Sequence, residues 1–272
     1  MPHLVGAASS DVGLTREKNE DSFFFDDSLG LYLVADGMGG HNAGEVASAL
    51  VTQTISDYIS FFFKKPFEDP ERYNFFDSDR SPVSNTVLQA IYLANQVVYT
   101  SAQNNKAQHN MGSTLVLIMA EGDDLLVAHV GDSRVFRHRA GELNRLTVDH
   151  RLSEDPQFKG VINYDSTVIS SMGHTLTRAM GIKPEVMPEI MQTPLQEEDI
   201  YLLCSDGLTD MVSEEMIEQV LALDEDLDKK AHHLIELALA GGGVDNVTVV
   251  LAAVESKGKT FKKFFSKIVK RT

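Results

Sequence analysis

"LYLVADGMGG", residues 31–40, passes from an apolar run into an aspartate followed by glycines. The run from Leu31 to Ala35 is short and partly β-branched or aromatic, which predicts a buried strand, and the glycines predict a turn. Asp36 would then lie at the rim of the core. A carboxylate there is costly unless backbone N–H groups, an arginine or a metal ion compensate it. Taken alone, an Asp-Gly pair after a strand is also typical of a simple turn.

Size and composition indicate a globular protein. The 272 residues are 43% hydrophobic, and a single β-rich domain of this length is common. The N-terminus "MPHLVGAASS" lacks the pattern of a secretion signal, and no stretch reaches the roughly 18 apolar residues of a membrane span. We therefore expect a cytoplasmic protein. Cys204 is the one cysteine, so an internal disulfide is excluded. Because it lies in an apolar run, we predict a buried, inert thiol.

Charge is distributed unevenly along the chain. The formal net charge of −16 argues against nucleic acid as a partner, because nucleic-acid-binding proteins generally carry a basic face. Residues 257–272 nevertheless hold seven Lys or Arg and no Asp or Glu. This leaves 17 basic against 40 acidic residues, a net charge of −23, on residues 1–256.

The basic C-terminal tail, residues 257–272, is also amphipathic. Lysines separate apolar residues that repeat at helical spacing. These apolar residues are Phe261, Phe264, Phe265 and Ile268. Such a segment suits weak contact with the inner membrane leaflet or with an acidic partner. The alternative is that it folds back onto the acidic body or stays disordered.

Predicted strands and predicted helices occur in separate blocks along the chain. Six runs have strand character: LYLVA, STLVLIMAEG, DLLVAHVG, RVFRHRAGELNRLT, IYLLCS and NVTVVLAAVE. Helical periodicity predicts helices from Asn42 to about Phe63, from about Pro82 to Gln103, at 213–222 and at 228–240. Strands in blocks with helices in pairs favour an α+β layered sandwich over alternating βαβ units. The long loop at 64–82 is functional or mobile.

Three further aspartates lie beside glycines or at strand ends: Asp132, Asp206 and Asp245. If they converge with Asp36, repulsion at about 4 Å is on the order of 1–4 kcal/mol per pair, so that the cluster needs cations. Oxygen ligands without Cys or His suit Mg²⁺ or Mn²⁺. The glycines allow close approach of the backbone, and the carbonyl of Gly37 is a further candidate ligand.

The segment "TREKNEDSF" upstream adds Arg16, Glu20 and Asp21. An arginine fork near two metals is what a phosphate group needs. Arg16 and Glu20 are also compatible with a solvent-exposed ion pair.

Six motifs in this order resemble the metal-dependent type 2C (PPM) serine/threonine protein phosphatases in their compact bacterial form. They are TREKNEDSF, LYLVADGMGGHNAGEVAS, MGSTLVLIM, LLVAHVGDSRVFRHRAGELNRLTVDH, LLCSDGLTDMV and DNVTVVL, and the match spans about residues 5–254. The resemblance implies an α+β fold with α-β-β-α layers, in which pairs of helices flank a β-sandwich of two antiparallel sheets. A dinuclear metal site is expected at one edge.

The resemblance also implies roles for single residues. Asp36 would bridge two cations, Mn²⁺ or Mg²⁺, and Gly37 would give its carbonyl to one of them. Asp206 and Asp245 would hold the other, and Glu20 would bind the second metal directly or through water. Asp132 matches a position that helps to hold a third metal in bacterial members, and Arg16 matches the phosphate-binding arginine.

The implied reaction is hydrolysis of phosphoserine or phosphothreonine monoesters by direct attack of a metal-bridging water or hydroxide. His41 is the candidate general acid for the leaving alkoxide. His129 and His150 are predicted to be structural. We expect a catalytic domain at 1–256, with a flap at about 150–176 over the cleft, and a separate tail at 257–272.

The expected partners are phosphorylated substrates of a serine/threonine kinase, and we expect a monomer. Two alternatives remain. A regulatory pseudophosphatase on the same fold would bind phosphoproteins but would require a lost ligand. Another two-metal hydrolase, such as a nuclease, is disfavoured by the acidic body and the lack of a basic groove.

Overall fold

The computed structural model of this chain describes residues 3–40, 43–64, 77–154 and 175–255. These ranges contain eleven strands: β1 (His3–Asp11), β2 (Asp21–Asp26), β3 (Leu31–Met38), β4 (Gly112–Ser113), β5 (Leu115–Glu121), β6 (Asp124–Val130), β7 (Arg134–Arg139), β8 (Glu142–Arg145), β9 (Glu189–Pro194), β10 (Ile200–Cys204) and β11 (Val247–Glu255). Their helices are α1 (Ala43–Lys64), α2 (Pro82–Asn104), α3 (Asp206–Thr209), α4 (Glu214–Ala222) and α5 (Leu227–Ala240), with a 3-10 turn at Lys106–Gln108.

The strands form two sheets that stack face to face. The first sheet has the order β1-β11-β10-β7-β8, and the second has the order β2-β3-β5-β6-β9 with β4 paired to β3. All the pairings between these strands are antiparallel. β11, which is last in the chain, lies between β1 and β10 in the first sheet.

The helices and sheets form four layers, and an apolar cluster fills each of the three spaces between them. Between the sheets, Val116 of the second sheet shares a cluster with Tyr201 and Val250 of the first. Helices α1 and α2 cover the outer face of the second sheet, and α4 and α5 cover the outer face of the first. The predicted α-β-β-α order is therefore confirmed.

Strand β3 explains the uninterrupted apolar run at the start of "LYLVADGMGG". Leu31, Leu33 and Ala35 belong to the cluster under α1 and α2, whereas Tyr32 and Val34 belong to the cluster between the sheets. Because successive side chains of a strand point to opposite faces, a strand buried on both faces needs apolar residues throughout. The prediction of a buried strand is confirmed.

The predicted turn at Gly37 is wrong, because β3 continues through Gly37 to Met38. Asp36 lies inside the strand, opposite Asp21 of β2. The extension is held by a short pairing with β4, in which Gly37 lies opposite Ser113.

The four predicted helices are confirmed to within a few residues. α2 begins after Ser81, whose side chain accepts a hydrogen bond from the Ser84 N–H, and Pro82 occupies its first turn. Its predicted apolar face is fully buried: Val87, Ile91, Ala94 and Val98. α4 and α5 are capped in the same way by Ser213 and Asp226.

Three strands escape the sequence pattern, namely β1, β2 and β9. Each carries polar or small residues at several positions and lies at the edge of its sheet. Edge strands are only partly covered, so their sequences lack a strong apolar run. Cys204, by contrast, is fully buried as predicted, and burial raises the pKa of its thiol to about 12.

Some predictions lie outside the described residues: His41, most of the flap and the tail at 257–272. The two ends of the flap are described and pair with each other, since the Leu152 N–H donates to the Thr175 carbonyl at 3.0 Å and the Thr177 N–H to the His150 carbonyl at 2.7 Å. Neither of the long helices in the described ranges, nor any shorter one, has the length and hydropathy of a membrane crossing.

Candidate metal centre

The predicted site residues meet in one cleft of about 1040 Å³ at an end of the sandwich. Seven of them line it: Arg16, Glu20, Asp36, Gly37, Asp132, Asp206 and Asp245. His41, the eighth, lies outside the described residues. Side chains separated by more than 200 positions in sequence are thus brought to one surface by the pairing of β11 with β1 and β10.

Asp36 is fixed in the cleft through its backbone. Its N–H donates to Thr114 Oγ1 at 2.9 Å, and its carbonyl accepts from the Thr114 N–H at 2.8 Å and from Ser113 Oγ at 3.0 Å. Both partners belong to the "MGST" stretch. These bonds leave the carboxylate of Asp36 as the group that faces the cleft.

The carboxylates are close enough to repel one another. Burial, together with the charges of Asp21, Asp206, Asp132 and Asp245, raises the pKa of Asp36 well above its ordinary value. Burial and the neighbouring aspartates raise the pKa of Asp206 to about 7. Such a cluster binds a compensating cation favourably, because the cation removes the repulsion as it binds.

Asp21 is a member of this cluster that the site prediction missed. Its Oδ2 accepts a hydrogen bond from Ser205 Oγ at 2.7 Å, whereas its Oδ1 is buried without a hydrogen-bond partner among the described residues. Burial raises its pKa to about 6. A buried, unpartnered carboxylate oxygen beside Asp36 fits a cation or a cation-bound ligand. The signal that would have found it is the antiparallel register of β2 with β3, which no local pattern encodes.

Glu20 and Gly37 converge at the start of α1. A Cβ built on Gly44 would lie 2.7 Å from the Glu20 carboxylate and 2.8 Å from the Gly37 carbonyl oxygen, so both oxygens surround the same point. A Cβ on Gly37 would lie 2.0 Å from the Gly44 carbonyl oxygen. Both glycines are therefore required for this close approach.

Asn246 positions the loop that carries Arg16 and Glu20. Its Oδ1 accepts the Glu20 N–H at 2.8 Å, and its Nδ2 donates to the carbonyls of Val12 and Lys18 at 2.9 and 2.8 Å. Sequence reasoning placed Asn246 only in the motif "DNVTVVL". Its role depends on a contact across 226 positions of sequence.

Arg16 pairs with Asp245 rather than with Glu20. Its Nη2 lies 2.7 Å from Asp245 Oδ2, and its side chain is half exposed at 50%. This hydrogen bond raises the pKa of Arg16. The alternative of an Arg16–Glu20 ion pair in solvent is not what the structure contains.

Arg151, which contacts two aspartates of the cleft, is a further residue that sequence reasoning missed. Its Nε lies 2.5 Å from Asp132 Oδ2 and its Nη2 lies 2.9 Å from Asp206 Oδ2, and its side chain is only 7% exposed. In the sequence it is an isolated arginine two positions after Asp149, in the stretch "VDHR", which matches no motif for metal or phosphate binding.

The donor set fits hard divalent cations. The candidate ligands around Asp36 are carboxylate and carbonyl oxygens, and neither Cys nor His lines the described part of the cleft. Oxygen donors of this kind suit Mg²⁺ and Mn²⁺.

A separate cluster of His129, His150 and Glu189 has suitable spacing for a metal but does not fit one. His150 Nδ1 accepts the Gly131 N–H at 3.1 Å, so the neutral ring carries its proton on Nε2 and has no lone pair there. Arg178 already supplies the positive charge, 3.0 Å from Glu189. Burial, His129 and Arg178 lower the pKa of His150 to about 4. Both histidines are buried and bonded to backbone groups, as a structural role requires.

Known proteins share this arrangement over most of the chain. Residues 14–234 match the family model described as protein phosphatase 2C. PstP, a serine/threonine protein phosphatase of Mycobacterium tuberculosis, is 36% identical over 251 residues, which are 91% of this chain and 44% of PstP. The serine/threonine phosphatase stp of Listeria monocytogenes is 32% identical over 245 residues, 89% of this chain and 92% of that protein.

Solved structures of serine/threonine phosphatases are similar to this chain over nearly its whole length. The catalytic domain of PstP in complex with two manganese ions has a TM-score of 0.76 at 36% identity, covering 94% of this chain and 100% of that chain. The serine/threonine phosphatase of S. agalactiae has a TM-score of 0.77 at 32% identity, covering 93% of this chain and 100% of that chain. The present chain therefore spans less than half of full-length PstP and nearly all of the shorter relative.

The electrostatics of the cluster give a prediction for Asp36→Asn. Without divalent metal, this variant should melt at a higher temperature than the wild type, because one of several mutually repelling charges is removed. Added Mn²⁺ should raise the melting temperature of the wild type and leave that of the variant nearly unchanged. Thermal denaturation in EDTA and in Mn²⁺ measures both. Asp57→Asn, on an exposed position of α1, is the control, and a full Mn²⁺-dependent shift in Asp36→Asn would contradict the assignment.

Proposed function

Because this chain belongs to the protein phosphatase 2C family, we propose that it hydrolyses phosphoserine and phosphothreonine monoesters in proteins. The observation that carries the proposal is the convergence of Glu20, Asp36, Asp206 and Asp245 on one cleft. The catalytic domain in this proposal is 1–256, and the tail at 257–272 is separate from it.

The cleft offers two groups of oxygen donors. In this proposal Glu20 and the Gly37 carbonyl form one group, Asp206 and Asp245 form the other, and Asp36 serves both; all five residues line the cleft. Two cations, Mn²⁺ or Mg²⁺, would be held by these groups and by Asp36. When bound, they supply the Lewis acidity that hydrolysis of a phosphate ester requires.

The chain supplies the orientation of these donors. The hydrogen bond from Ser205 holds Asp21 behind Asp36, and the three bonds of the Asn246 side chain hold the loop that carries Arg16 and Glu20. Because both supports are built from buried or partly buried side chains, the donors are positioned before substrate arrives.

Arg16 is the residue that we assign to the phosphate group. Its guanidinium lies at the cleft and is half exposed, so it can reach a ligand without disturbing the core. In the structure its partner is Asp245. A guanidinium at this position can make a charge-assisted fork with two oxygens of a phosphate group. His41, which follows the glycines after β3, is the proposed proton donor to the leaving alkoxide.

The main alternative is a regulatory pseudophosphatase that binds phosphoproteins without turnover. It requires the loss of an essential ligand, whereas Asp36, Asp206 and Asp245 are present and line the cleft. A two-metal nuclease is disfavoured by the net charge of −16.

The substrates in this proposal are proteins phosphorylated by a serine/threonine kinase, and the enzyme acts on them as a cytoplasmic monomer. The basic tail localises it weakly to an anionic membrane surface. The support for this last element is the sequence alone, namely the seven Lys or Arg and the apolar spacing of residues 257–272.

Turnover tests the proposed reaction. With Mn²⁺ the protein should release phosphate from a phosphothreonine peptide and leave single-stranded DNA intact. Asp36→Ala, Asp206→Asn and Asp245→Asn should each abolish release, because each removes a cation ligand without removing core packing. Asp228→Asn, at an exposed position of α5, should retain wild-type rates. Peptide binding without turnover would favour the pseudophosphatase, and near-normal rates in any of the three cleft variants at saturating Mn²⁺ would refute the site.

If Arg16 binds the phosphate group of the substrate, its loss should affect KM more than kcat. Arg16→Ala should raise KM for the phosphopeptide about tenfold with a smaller effect on kcat, because a charge-assisted fork to the phosphate is lost. Mn²⁺ should bind at least as tightly, since Asp245 loses a competing partner. Steady-state kinetics and calorimetry measure the two effects, with Arg80→Ala as the control at an exposed arginine far in sequence from the cleft. An unchanged KM would exclude the phosphate role.

Deletion of residues 257–272 tests the tail. Activity on a small phosphate ester should persist, while sedimentation with anionic liposomes at low salt should fall to the level seen with neutral liposomes. Equal sedimentation with and without the tail would refute membrane contact. A large loss of basal activity would instead place the tail against the catalytic body.

A further inference from the structure

We propose that Arg151 is a built-in cation of the acidic cleft, which neutralises Asp132 and Asp206 together and limits the site to two divalent cations. The inference rests on the proposed function, since it concerns the same cleft. It differs from the expectation drawn from sequence, in which Asp132 helps to hold a third metal.

The guanidinium of Arg151 bridges the two sheets at the cleft. Asp132 follows β6 of the second sheet and Asp206 follows β10 of the first. Nε donates to Asp132 Oδ2 at 2.5 Å, and Nη2 donates to Asp206 Oδ2 at 2.9 Å. One planar cation thus contacts one oxygen of each carboxylate, which is the arrangement that a metal ion shared by the two aspartates would otherwise adopt.

Arg151 is held at this position from behind. Asp149, which is fully buried, accepts from Arg134 at 2.8 Å and also from Arg145, and it lies 4.0 Å from Arg151 Nε. Two arginines therefore already share the charge of Asp149. The positive charge of Arg151 is directed toward Asp132 and Asp206 instead. The main chain of Arg151 is fixed as well, by a β-bridge to Leu176.

A third divalent cation between Asp132 and Asp206 would have to displace this guanidinium. The side chain of Arg151 is only 7% exposed. A displaced guanidinium would therefore remain buried, and its nearest other carboxylate, Asp149, is already paired with two arginines. Loss of one partner of a buried ion pair is strongly unfavourable. Of the donors assigned to the two cations, Arg151 contacts Asp206 through one oxygen, Oδ2. Glu20, the Gly37 carbonyl, Asp36 and Asp245 line the cleft as the other donors.

The charge balance gives Arg151 a positioning role. It holds the carboxylate of Asp206 in place while leaving Asp206 Oδ1 to a cation. A side chain that acts only through packing would not alter the number of metal ions bound. The number of ions is therefore the measurement that separates the two roles.

The experiment counts Mn²⁺ ions per chain at saturation, by equilibrium dialysis and calorimetry, for the full chain and for Arg151→Gln, Arg151→Lys and Arg178→Gln. Arg178 lines the cleft and pairs with Glu189, so its variant controls for loss of positive charge. We expect two ions in the wild type and in Arg178→Gln, and three in Arg151→Gln. The added ion should disappear again in Arg151→Gln combined with Asp132→Asn. Arg151→Lys, which keeps the charge, should stay at two.

Three ions in the wild type would overturn the inference, and this count needs no variant to fold. An unchanged count of two in a folded Arg151→Gln would overturn it as well. If neither protein binds Mn²⁺ while thermal denaturation shows both to be folded, the proposed function fails and the inference fails with it. Binding of two ions without phosphopeptide turnover would contradict the proposed reaction but support the role of Arg151.

Discussion

Mutual repulsion among carboxylates at one end of the β-sandwich is the constraint that the surrounding structure offsets. Six acidic side chains line the same cleft: Glu20, Asp36, Asp132, Glu185, Asp206 and Asp245. In the structure two arginines neutralise part of this charge, Arg16 at the rim and Arg151 in the interior. The pKa of Asp36 is nevertheless raised by burial and by its neighbours. The remaining negative charge favours the binding of divalent cations, on which the proposed phosphate chemistry depends.

The sandwich provides the rigidity that such a cluster needs. Asp36 comes from the second sheet and Asp206 from the end of a strand of the first, so their separation is set by the packing of the two sheets. Gly37 and Gly44 allow α1 to approach β3 so closely that the backbone itself contributes an oxygen. A loosely packed scaffold would let the carboxylates move apart and would lose the favourable interaction with a cation.

The apolar runs predicted the central strands because residues buried on both faces of a strand must all be apolar, as in Leu31–Ala35. The order of the acidic motifs predicted the residues of the cleft. What the local pattern does not contain is register: Asp21 faces Asp36, and Asn246 holds Glu20, only after the strands have paired. Arg151 escaped for the same reason, since its partners come from different sheets. The turn assigned to Gly37 was wrong because the pairing with β4 extends the strand.

Anomalous diffraction from crystals grown with Mn²⁺ locates bound ions without reference to activity. Two anomalous peaks are expected in the cleft, one beside Glu20 and the Gly37 carbonyl and one beside Asp206 and Asp245, both in contact with Asp36. Arg151 should remain between Asp132 and Asp206. Absence of peaks in the cleft, or peaks only elsewhere on the protein, would show that these carboxylates do not form a cation site.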